Sequence, residues 1–256
     1  MRNERCIRIY KYRGLSGRYG REAIENAIKR NALYWQSPGE FNDPFDCLPA
    51  LYFGDNANQR KKFHARAAAQ VYHGQPRDKR RRHRRNMDSV PPAEMEGRLR
   101  NAWNEWLSAS AVTCFSDLCD HPLMWAHYAD SHKGVCFIFD EIADNQSQWF
   151  AFPVAYQEDR PRVNLTCFND PDVMMQALFL KSDHWSYECE QRMVEWHKAP
   201  GYREFPKQQL KGIILGARIG EEDEAFVRGL LESRPELPVF QAQIDAIRFK
   251  LNVVPA

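Results

Sequence analysis

Residues 111–139, AVTCFSDLCDHPLMWAHYADSHKGVCFIF, contain the clearest structural pattern in the chain. Residues 111–115 are typical of a strand, and residues 134–139 form an apolar run of the kind found in strands buried on both faces of a sheet. Between them, residues 122–130 predict a short helix, because proline is favoured in the first helical turn. A short helix between two strands indicates a protein of mixed α and β structure.

Strand and helix patterns continue on both sides of this segment. Residues 6–12 alternate apolar and polar side chains as a half-buried strand does, and residues 21–31 repeat apolar side chains at helical spacing. Further helices are predicted at residues 171–181 and 221–231, and further strands at residues 33–36, 151–156, 187–196, 211–216, 239–241 and 247–253. The sequence therefore predicts one α+β domain over residues 1–256, built on a single mixed or antiparallel sheet.

Residues 54–110 differ from the rest of the chain and predict a helical, basic insertion within this domain. Two segments with helical spacing, around residues 63–72 and 95–106, flank a basic run. Eleven basic residues lie between Arg60 and Arg85 with one acid, Asp78, although 36 Lys and Arg nearly balance 34 Asp and Glu over the whole chain. A packed core does not tolerate this charge density, so we expect an exposed connection between helices.

The basic run allows two interpretations. Its arginines can follow a phosphate backbone by displacing counterions, although the run has no interleaved aromatic residues that would stack on bases. A solvated connector is the alternative, and contact with a membrane surface is disfavoured because no apolar helix face accompanies the charges. The arginines that predict nucleic-acid contact are Arg77, Arg80, Arg81, Arg82, Arg84 and Arg85.

The composition excludes several classes of protein. A hydrophobic content of 43% and a charged content of 27% are typical of a folded chain and exclude a disordered or collagen-like one. No segment approaches the roughly 18 apolar residues of a membrane helix, and the N-terminus has no apolar signal core, so we expect a cytoplasmic protein without a membrane partner. The seven cysteines lack CxxC spacing; we expect reduced thiols and predict no metal site.

Residues 41–46, Phe-Asn-Asp-Pro-Phe-Asp, are the first candidate site. Asn and Asp side chains close turns by binding backbone N–H groups, and Pro44 restricts φ, so a turn alone accounts for this segment. The alternative is that a rigid turn with aromatic walls, Phe41 and Phe45, holds Asn42, Asp43 or Asp46 toward a ligand, as rigidly supported loops often do. Both interpretations stay open.

The predicted short helix carries the second candidate site. Trp125 and Tyr128 are three residues apart and share a helix face, whereas His127 points roughly 100° to one side of Tyr128. A helical histidine beside apolar residues is usually a packed or surface residue; catalysis or ligand binding by His127 is the alternative. A metal site that combines His127 with His132 lacks a third ligand.

Residues 185–192, Trp-Ser-Tyr-Glu-Cys-Glu-Gln-Arg, are the third candidate site. In a strand, Glu188, Glu190 and Arg192 would point to one face. Two adjacent carboxylates repel each other, which raises the pKa of one and suits acid–base chemistry, and the neighbouring Trp185 and Trp196 would shield them from water. An ion-paired, solvated strand face is the alternative.

Six blocks of the sequence resemble a widespread bacterial family of unknown function. The blocks are YKYR at residues 10–13, FNDPFD at 41–46, CFS at 114–116, MWAHY at 124–128, HKGVC at 132–136 and WSYECEQR at 185–192. The resemblance implies where a site lies, but not which reaction the site performs.

At the level of the fold, the sequence is similar to the ADP-ribosyltransferases, which cleave the nicotinamide bond of NAD. Arg13 at the end of the first strand, Ser116 on a middle strand and Glu188 with Glu190 near a later strand match the family's Arg, Ser, Glu order. The resemblance implies that Arg13 holds a phosphate, that Ser116 orients the ribose and that Glu190 supports the oxocarbenium-like transition state. The family's Ser-Thr-Ser motif is Cys-Phe-Ser in this chain.

These observations predict an NAD-binding, ADP-ribosyltransferase-like enzyme or NAD glycohydrolase that modifies a macromolecule, in bacterial stress or phage defence or as a toxin. The predicted catalytic residues are Glu190, Glu188 and His127. The predicted NAD-binding residues are Tyr12, Arg13, Asn42, Asp43, Phe45, Ser116, Trp125, Tyr128 and Arg192. Two alternatives stay open: a nucleic-acid-binding protein or metal-dependent nuclease using Asp43, Asp46, Glu188 and Glu190, and a non-catalytic ligand-sensing module.

Overall fold

The computed structural model describes residues 7–17, 19–141, 150–167 and 170–256. The chain divides into two compact units. The first unit comprises residues up to 37, residues 110–154 and residues 184–256, and the second comprises residues 38–109 and 155–183. The segment predicted as a helical insertion lies in the second unit, together with residues 155–183.

The strands and the α-helices are each numbered in their order along the chain. The strands are β1 (Ile7–Arg13), β2 (Ala32–Trp35), β3 (Ala50–Tyr52), β4 (Ala111–Ser116), β5 (Val135–Glu141), β6 (Phe152–Pro153), β7 (Ala155–Gln157), β8 (Arg162–Asn164), β9 (Leu180–Ser182), β10 (Glu190–Glu195), β11 (Gly201–Glu204), β12 (Leu210–Leu215), β13 (Val239–Ile244) and β14 (Leu251–Pro255). The α-helices are α1 (Gly20–Lys29), α2 (Ala57–Val71), α3 (Arg77–Asp88), α4 (Pro92–Ser108), α5 (Pro122–Tyr128), α6 (Pro171–Phe179) and α7 (Glu221–Leu231).

The first unit is built on an eight-stranded sheet in the order β14-β13-β12-β5-β1-β4-β10-β6. Strands β12 and β13 are parallel and are connected through α7, whereas the other neighbouring strands of this sheet are antiparallel. Strand β1 therefore lies in the middle of the sheet, between β5 and β4. This arrangement confirms the prediction of an α+β fold with a mixed sheet, whereas the prediction of a single sheet is wrong, because the described residues also form three two-stranded sheets. Strands β2 and β11 form a separate antiparallel pair in the same unit.

Helices cover both faces of the large sheet. On one face, the α1 face, α1 and α7 pack against strand residues that include Ile9, Phe137 and Ile213. On the opposite face, the α5 face, Met124 and Trp125 of α5 pack against residues of β1, β5, β12, β13 and β14. Because successive strand residues point to opposite faces, Ile9 of β1 belongs to the core of the α1 face and Tyr12 to the core of the α5 face.

The second unit combines α2, α3, α4 and α6 with two parallel strand pairs, β3 with β8 and β7 with β9. Helix α3 packs against α2, where the rings of Tyr72 and His83 lie 5.1 Å apart and His64 Nδ1 lies 2.8 Å from a carboxylate oxygen of Asp88. These contacts correct the prediction for the basic run. The run is exposed, as expected, but it is a helix and not a connection, because one side of it is held against α2.

The predicted strand at residues 187–196 is shorter in the structure. A 3₁₀ helix spans Asp183–Glu188, Cys189 has a φ of 43°, and β10 begins at Glu190. The chain turns at Cys189, so Glu188 does not lie on the strand that carries Glu190. The predicted strand at 151–156 is likewise divided between β6 and β7, which pair with different partners.

Other expectations concern the N-terminus, the thiols and the membrane. Strand β1 confirms the strand predicted at residues 6–12, of which Cys6 lies outside the described residues. The six described cysteines are free thiols. Within the described ranges, the chain has no helix with the length and apolar character needed to cross a membrane.

Candidate functional site

Three side chains from distant parts of the chain lie in one row on the α5 face. Tyr10 on β1 is paired with Ser116 on β4, and Ser116 is paired with Glu190 on β10. Residues paired across neighbouring strands point to the same side of the sheet. Three blocks of the sequence, at residues 10–13, 114–116 and 185–192, therefore meet in the first unit.

Glu190 and Arg192 form a buried ion pair at one end of this row. Arg192 donates two hydrogen bonds to the carboxylate, from Nε to Oε1 at 2.7 Å and from Nη2 to Oε2 at 2.9 Å. Arg192 is 0% exposed and Glu190 is 4% exposed. The pKa of the neighbouring Cys114 thiol is raised, mainly by burial and then by the charge of Glu190. The Glu190 carboxylate is thus held in two charge-assisted hydrogen bonds inside the protein.

The Ser116 hydroxyl fixes the chain that leads into β10. It donates to the backbone carbonyl of Glu188 at 2.6 Å and accepts from the backbone N–H of Leu118 at 3.0 Å. The side chain is fully enclosed. Since its single proton is donated to the main chain, Ser116 acts here as a support for Glu188.

Glu188 joins the 3₁₀ helix to α5. Its side chain is 2% exposed, and Oε1 accepts a hydrogen bond from the Tyr128 hydroxyl at 2.5 Å. Tyr128 itself is half-buried and lies at the end of α5. Residues of the second and third candidate sites of the sequence therefore meet in the structure, through a buried carboxylate bound by a tyrosine.

Five rings surround this hydrogen bond and form what we call the aromatic patch. His127 is exposed and the other four rings are partly exposed. Ring centroids are 6.0 Å apart for Trp185 and Tyr187, 6.2 Å for His127 and Trp185, 6.3 Å for His127 and Tyr128, and 6.4 Å for His127 and Tyr187. The fifth ring, His121, stacks on Tyr187 at 5.3 Å. The patch offers several aromatic faces and edges to a planar ligand.

Three members of the aromatic patch, Trp185, Tyr187 and His121, are not among the predicted site residues, although the sequence predicts Trp185 as a shield for the carboxylates. Tyr187 lies inside the third sequence block, and its place between Trp185 and Glu188 was a usable signal. His121 precedes Pro122 at the start of α5, and its Nδ1 is buried without a hydrogen-bond partner among the described residues. Nothing in its local sequence indicates that it would stack on a ring from the 3₁₀ helix.

Tyr12 and Trp125, both predicted to bind NAD, are packed inside the protein. Trp125 is 0% exposed and Tyr12 is 7% exposed, and their rings meet edge to face at 5.2 Å. The Tyr12 hydroxyl donates to the carbonyl of Leu118 at 2.7 Å, and Trp125 Nε1 donates to the carbonyl of Cys119 at 2.8 Å. These residues support the site from within the core.

Tyr10 is a further residue of the α5 face that the sequence did not single out for a site. Burial and the neighbouring Cys119 thiol raise the pKa of Tyr10 to about 12. The phenol therefore stays protonated at neutral pH and keeps its hydrogen-bond donor.

Arg13 does not join this group. It is three residues from Tyr10 on the same strand, so it points to the α1 face, as Ile9 does. The guanidinium is half-buried, and burial lowers its pKa. No carboxylate lies within 4 Å of it among the described residues. The structure places Ser116, Glu188 and Glu190 together and leaves Arg13 on the other side of the sheet.

Residues 41–46 belong to the second unit. Asp43 Oδ1 accepts from the backbone N–H of Phe45 at 2.9 Å, as expected for a turn, and Asp46 lies 3.4 Å from the ammonium group of Lys181. Both carboxylates are buried, whereas Asn42 is exposed and Phe45 is 62% exposed. The turn interpretation thus accounts for Asp43, and a buried ion pair accounts for Asp46.

The four carboxylates that a nuclease would use are distributed over both units. Asp43 and Asp46 lie in the second unit, and Glu188 and Glu190 lie in the first. Within the described ranges, no group of three or more His, Cys, Asp or Glu side chains is arranged to hold a metal ion.

Comparison with family models gives a match over part of the chain. The model of a family described as "Protein of unknown function (DUF2971)" matches residues 124–193. This segment begins in α5 and ends in β10, so it contains Tyr128, Glu188, Glu190 and Arg192. No curated protein and no solved structure matches the chain significantly. The chain is therefore similar, over the segment that carries the site, to an uncharacterised domain family.

Proposed function

We propose that the first unit binds NAD and performs an ADP-ribosyltransferase-like reaction, with Glu188 as the carboxylate that acts on the ribose beside nicotinamide. The observation that carries the proposal is the hydrogen bond from Tyr128 to the buried Glu188 carboxylate, next to the aromatic patch. The ADP-ribosyltransferase-like character of the fold is part of this proposal, and so is a macromolecular acceptor in bacterial stress or phage defence.

The aromatic patch supports the binding step. NAD carries two planar rings, nicotinamide and adenine, and aromatic side chains bind such rings by stacking or edge contacts. Trp185, Tyr187 and His127 leave part of each ring exposed, whereas the rings of Tyr12 and Trp125 are already enclosed by the core. We therefore assign ring contact to these three members of the aromatic patch.

The buried carboxylate supports the chemical step. Cleavage of the bond between nicotinamide and ribose develops positive charge on the ribose, as in glycoside hydrolysis, and a carboxylate in a water-poor site stabilises that charge strongly. Glu188 is 2% exposed, and Tyr128 holds one of its oxygens in place. Nicotinamide leaves with the electron pair of the broken bond, and the ADP-ribosyl group passes either to water or to a nucleophile of the target.

Glu190 has a different part in this proposal from the one the sequence predicted. Its carboxylate is bound through both oxygens by Arg192, so its charge is already balanced. Glu190 pairs with Ser116 across the sheet, and Ser116 holds the carbonyl of Glu188. Glu190 is therefore a positioning residue, and Glu188 is the catalytic one.

The test is NAD consumption by the purified chain, followed by separation of nicotinamide from NAD. Glu188→Gln should lower turnover by about 100- to 1,000-fold, the usual cost of removing one transition-state contact, with little change in folding. Glu195→Gln is the matched control, because this glutamate is on β10, is partly exposed and pairs with Arg203. Tyr128→Phe should reduce turnover less, because the carboxylate remains.

Three results would decide against the proposal. The first is a wild-type chain that neither consumes NAD nor shows a thermal shift with it. The second is a Glu188→Gln variant as active as Glu195→Gln. The third is tight binding of NAD without turnover, which would favour the ligand-sensing alternative.

A further inference from the structure

Helix α3 has an unusual surface for a helix of a folded protein. None of its residues is buried. Arg80, His83 and Met87 are half-buried and recur at helical spacing, so they form the side held against α2. The remaining arginines are exposed and form what we call the outward face: Arg77, Arg81, Arg82, Arg84 and Arg85.

Most of the arginines on the outward face have no carboxylate partner in the part of the chain that the structure describes. Arg84 lies 3.8 Å from a carboxylate oxygen of Asp88. Arg77, Arg81, Arg82 and Arg85 have no carboxylate within 4 Å among the described residues. Elsewhere in the chain, exposed helical cations commonly have such a partner four residues away, as in the pairs Arg98 with Glu94 and Arg228 with Glu224.

The outward face holds like charges close together. Arg77, Arg81 and Arg85 follow one another at intervals of four residues, a spacing at which like charges repel in a helix. The packing of His83 on Tyr72 and the contact of Asp88 with His64 hold α3 against α2 in spite of this repulsion. A polyanion bound to the outward face would relieve the repulsion.

We propose that the outward face of α3 docks onto the phosphate backbone of duplex nucleic acid. The face is about 12 Å long from Arg77 to Arg85 at 1.5 Å per residue, and duplex DNA presents a phosphate for about every 1.7 Å of its axis. It has no aromatic side chain, so it lacks the stacking platform that single-strand-binding sites use. It also has no apolar side chain to enter a lipid surface.

The experiment measures binding of the full chain to a fluorescent duplex of about 30 base pairs by anisotropy, between about 50 and 200 mM KCl. Four arginines on phosphates predict a slope of about −3.6 in log K against log salt, which is a loss of roughly 150-fold over this range. Replacing Arg77, Arg81, Arg82 and Arg85 by Gln should remove most of this slope. Replacing them by Lys should keep it.

The matched control removes the same amount of charge at sites where the cation already has an acidic partner. It carries Gln at Lys29, Arg98, Lys207 and Arg228, which pair with Glu25, Glu94, Glu236 and Glu224. This variant should bind the duplex nearly as the wild type does. Because glutamine is a good helix former, we expect both variants to keep their helices. Circular dichroism of both variants checks that they are folded.

Three outcomes would overturn the proposal. One is an equal loss of binding in the α3 variant and the control, which would indicate a general effect of net charge. Another is equal affinity for a single strand of the same length. The last is no binding of the duplex at about 50 mM salt, where phosphate contacts are strong. The NAD assay is independent of all three results.

Discussion

The buried pair of Glu190 and Arg192 provides a quantitative test of how the site is held. The change is Arg192→Met, which keeps an unbranched apolar stem and removes the guanidinium and its charge. Arg192 is fully buried and binds both carboxylate oxygens of Glu190, at 2.7 and 2.9 Å. In the variant, the Glu190 carboxylate would remain inside the protein without the two hydrogen bonds from Arg192.

The expected cost follows from these contacts. Hydrogen bonds to charged groups contribute about 1.5–3 kcal/mol each, and two of them are lost. Removing one partner of a buried ion pair costs about 3–5 kcal/mol, because the remaining charge stays buried with less compensation. We therefore expect Arg192→Met to lower the free energy of unfolding by about 3–5 kcal/mol. For a chain of this size this corresponds to a fall in Tm of about 6–20 °C.

The assay is a double-mutant cycle followed by urea unfolding. The second variant is Glu190→Leu, and the third combines both changes. Replacing both members of a buried ion pair by apolar side chains is often close to neutral. The double variant should therefore be more stable than Arg192→Met alone, with a coupling free energy of at least about 2 kcal/mol.

Two results would refute this reasoning. One is additivity, in which the double variant loses the sum of the two single changes. The other is a cost of less than about 1 kcal/mol for Arg192→Met, which would be typical of an exposed pair.

A Glu190→Gln variant that loses NAD turnover at unchanged stability would restore Glu190 to the catalytic part that the sequence predicted.

Two further predictions concern stability. Ser116→Ala removes the hydroxyl that binds the carbonyl of Glu188 and the N–H of Leu118. It should lower the free energy of unfolding by about 1–3 kcal/mol in a urea titration. An unchanged urea midpoint would contradict this prediction. Burial lowers the pKa of Lys11 from 10.5 to about 7. Between these values the unfolded chain binds more protons, so the contribution of Lys11 to stability should rise with pH, by at most about 1.4 kcal/mol per pH unit, and stay constant below pH 7. Lys11→Met should remove this rise when unfolding is compared with the wild type from pH 7 to 10, and parallel curves would contradict the prediction.

Local patterns predicted many of the elements correctly. The helix expected at residues 221–231 is α7 with the same bounds, and the pattern of residues 111–139 corresponds to β4, α5 and β5. These patterns depend on neighbours a few residues away, which any reader of the sequence can see. The sequence does not predict helix α3, because its composition suits a helix and an exposed loop equally well. Its contacts with α2 stabilise the helix.

Long-range contacts control the chemistry of the site in a way that local patterns do not show. The positive φ of Cys189 separates Glu188 from Glu190, although the two residues appear equivalent in an alternating pattern. The Glu188 carboxylate accepts a hydrogen bond from Tyr128 of α5, and the Glu190 carboxylate accepts two from Arg192. Arg13 points to the α1 face because side chains alternate along β1, whereas α5 packs on the opposite face of the sheet.

The linear order of residues thus specified which polar and aromatic groups this protein possesses and which short elements carry them. Folding assigned each of these groups its partner and its exposure to water. The physical reason is that periodicity reports interactions along a single helix or strand, whereas the charge state and accessibility of a buried carboxylate depend on the order of strands in the sheet and on the side chains that neighbouring elements bring to it.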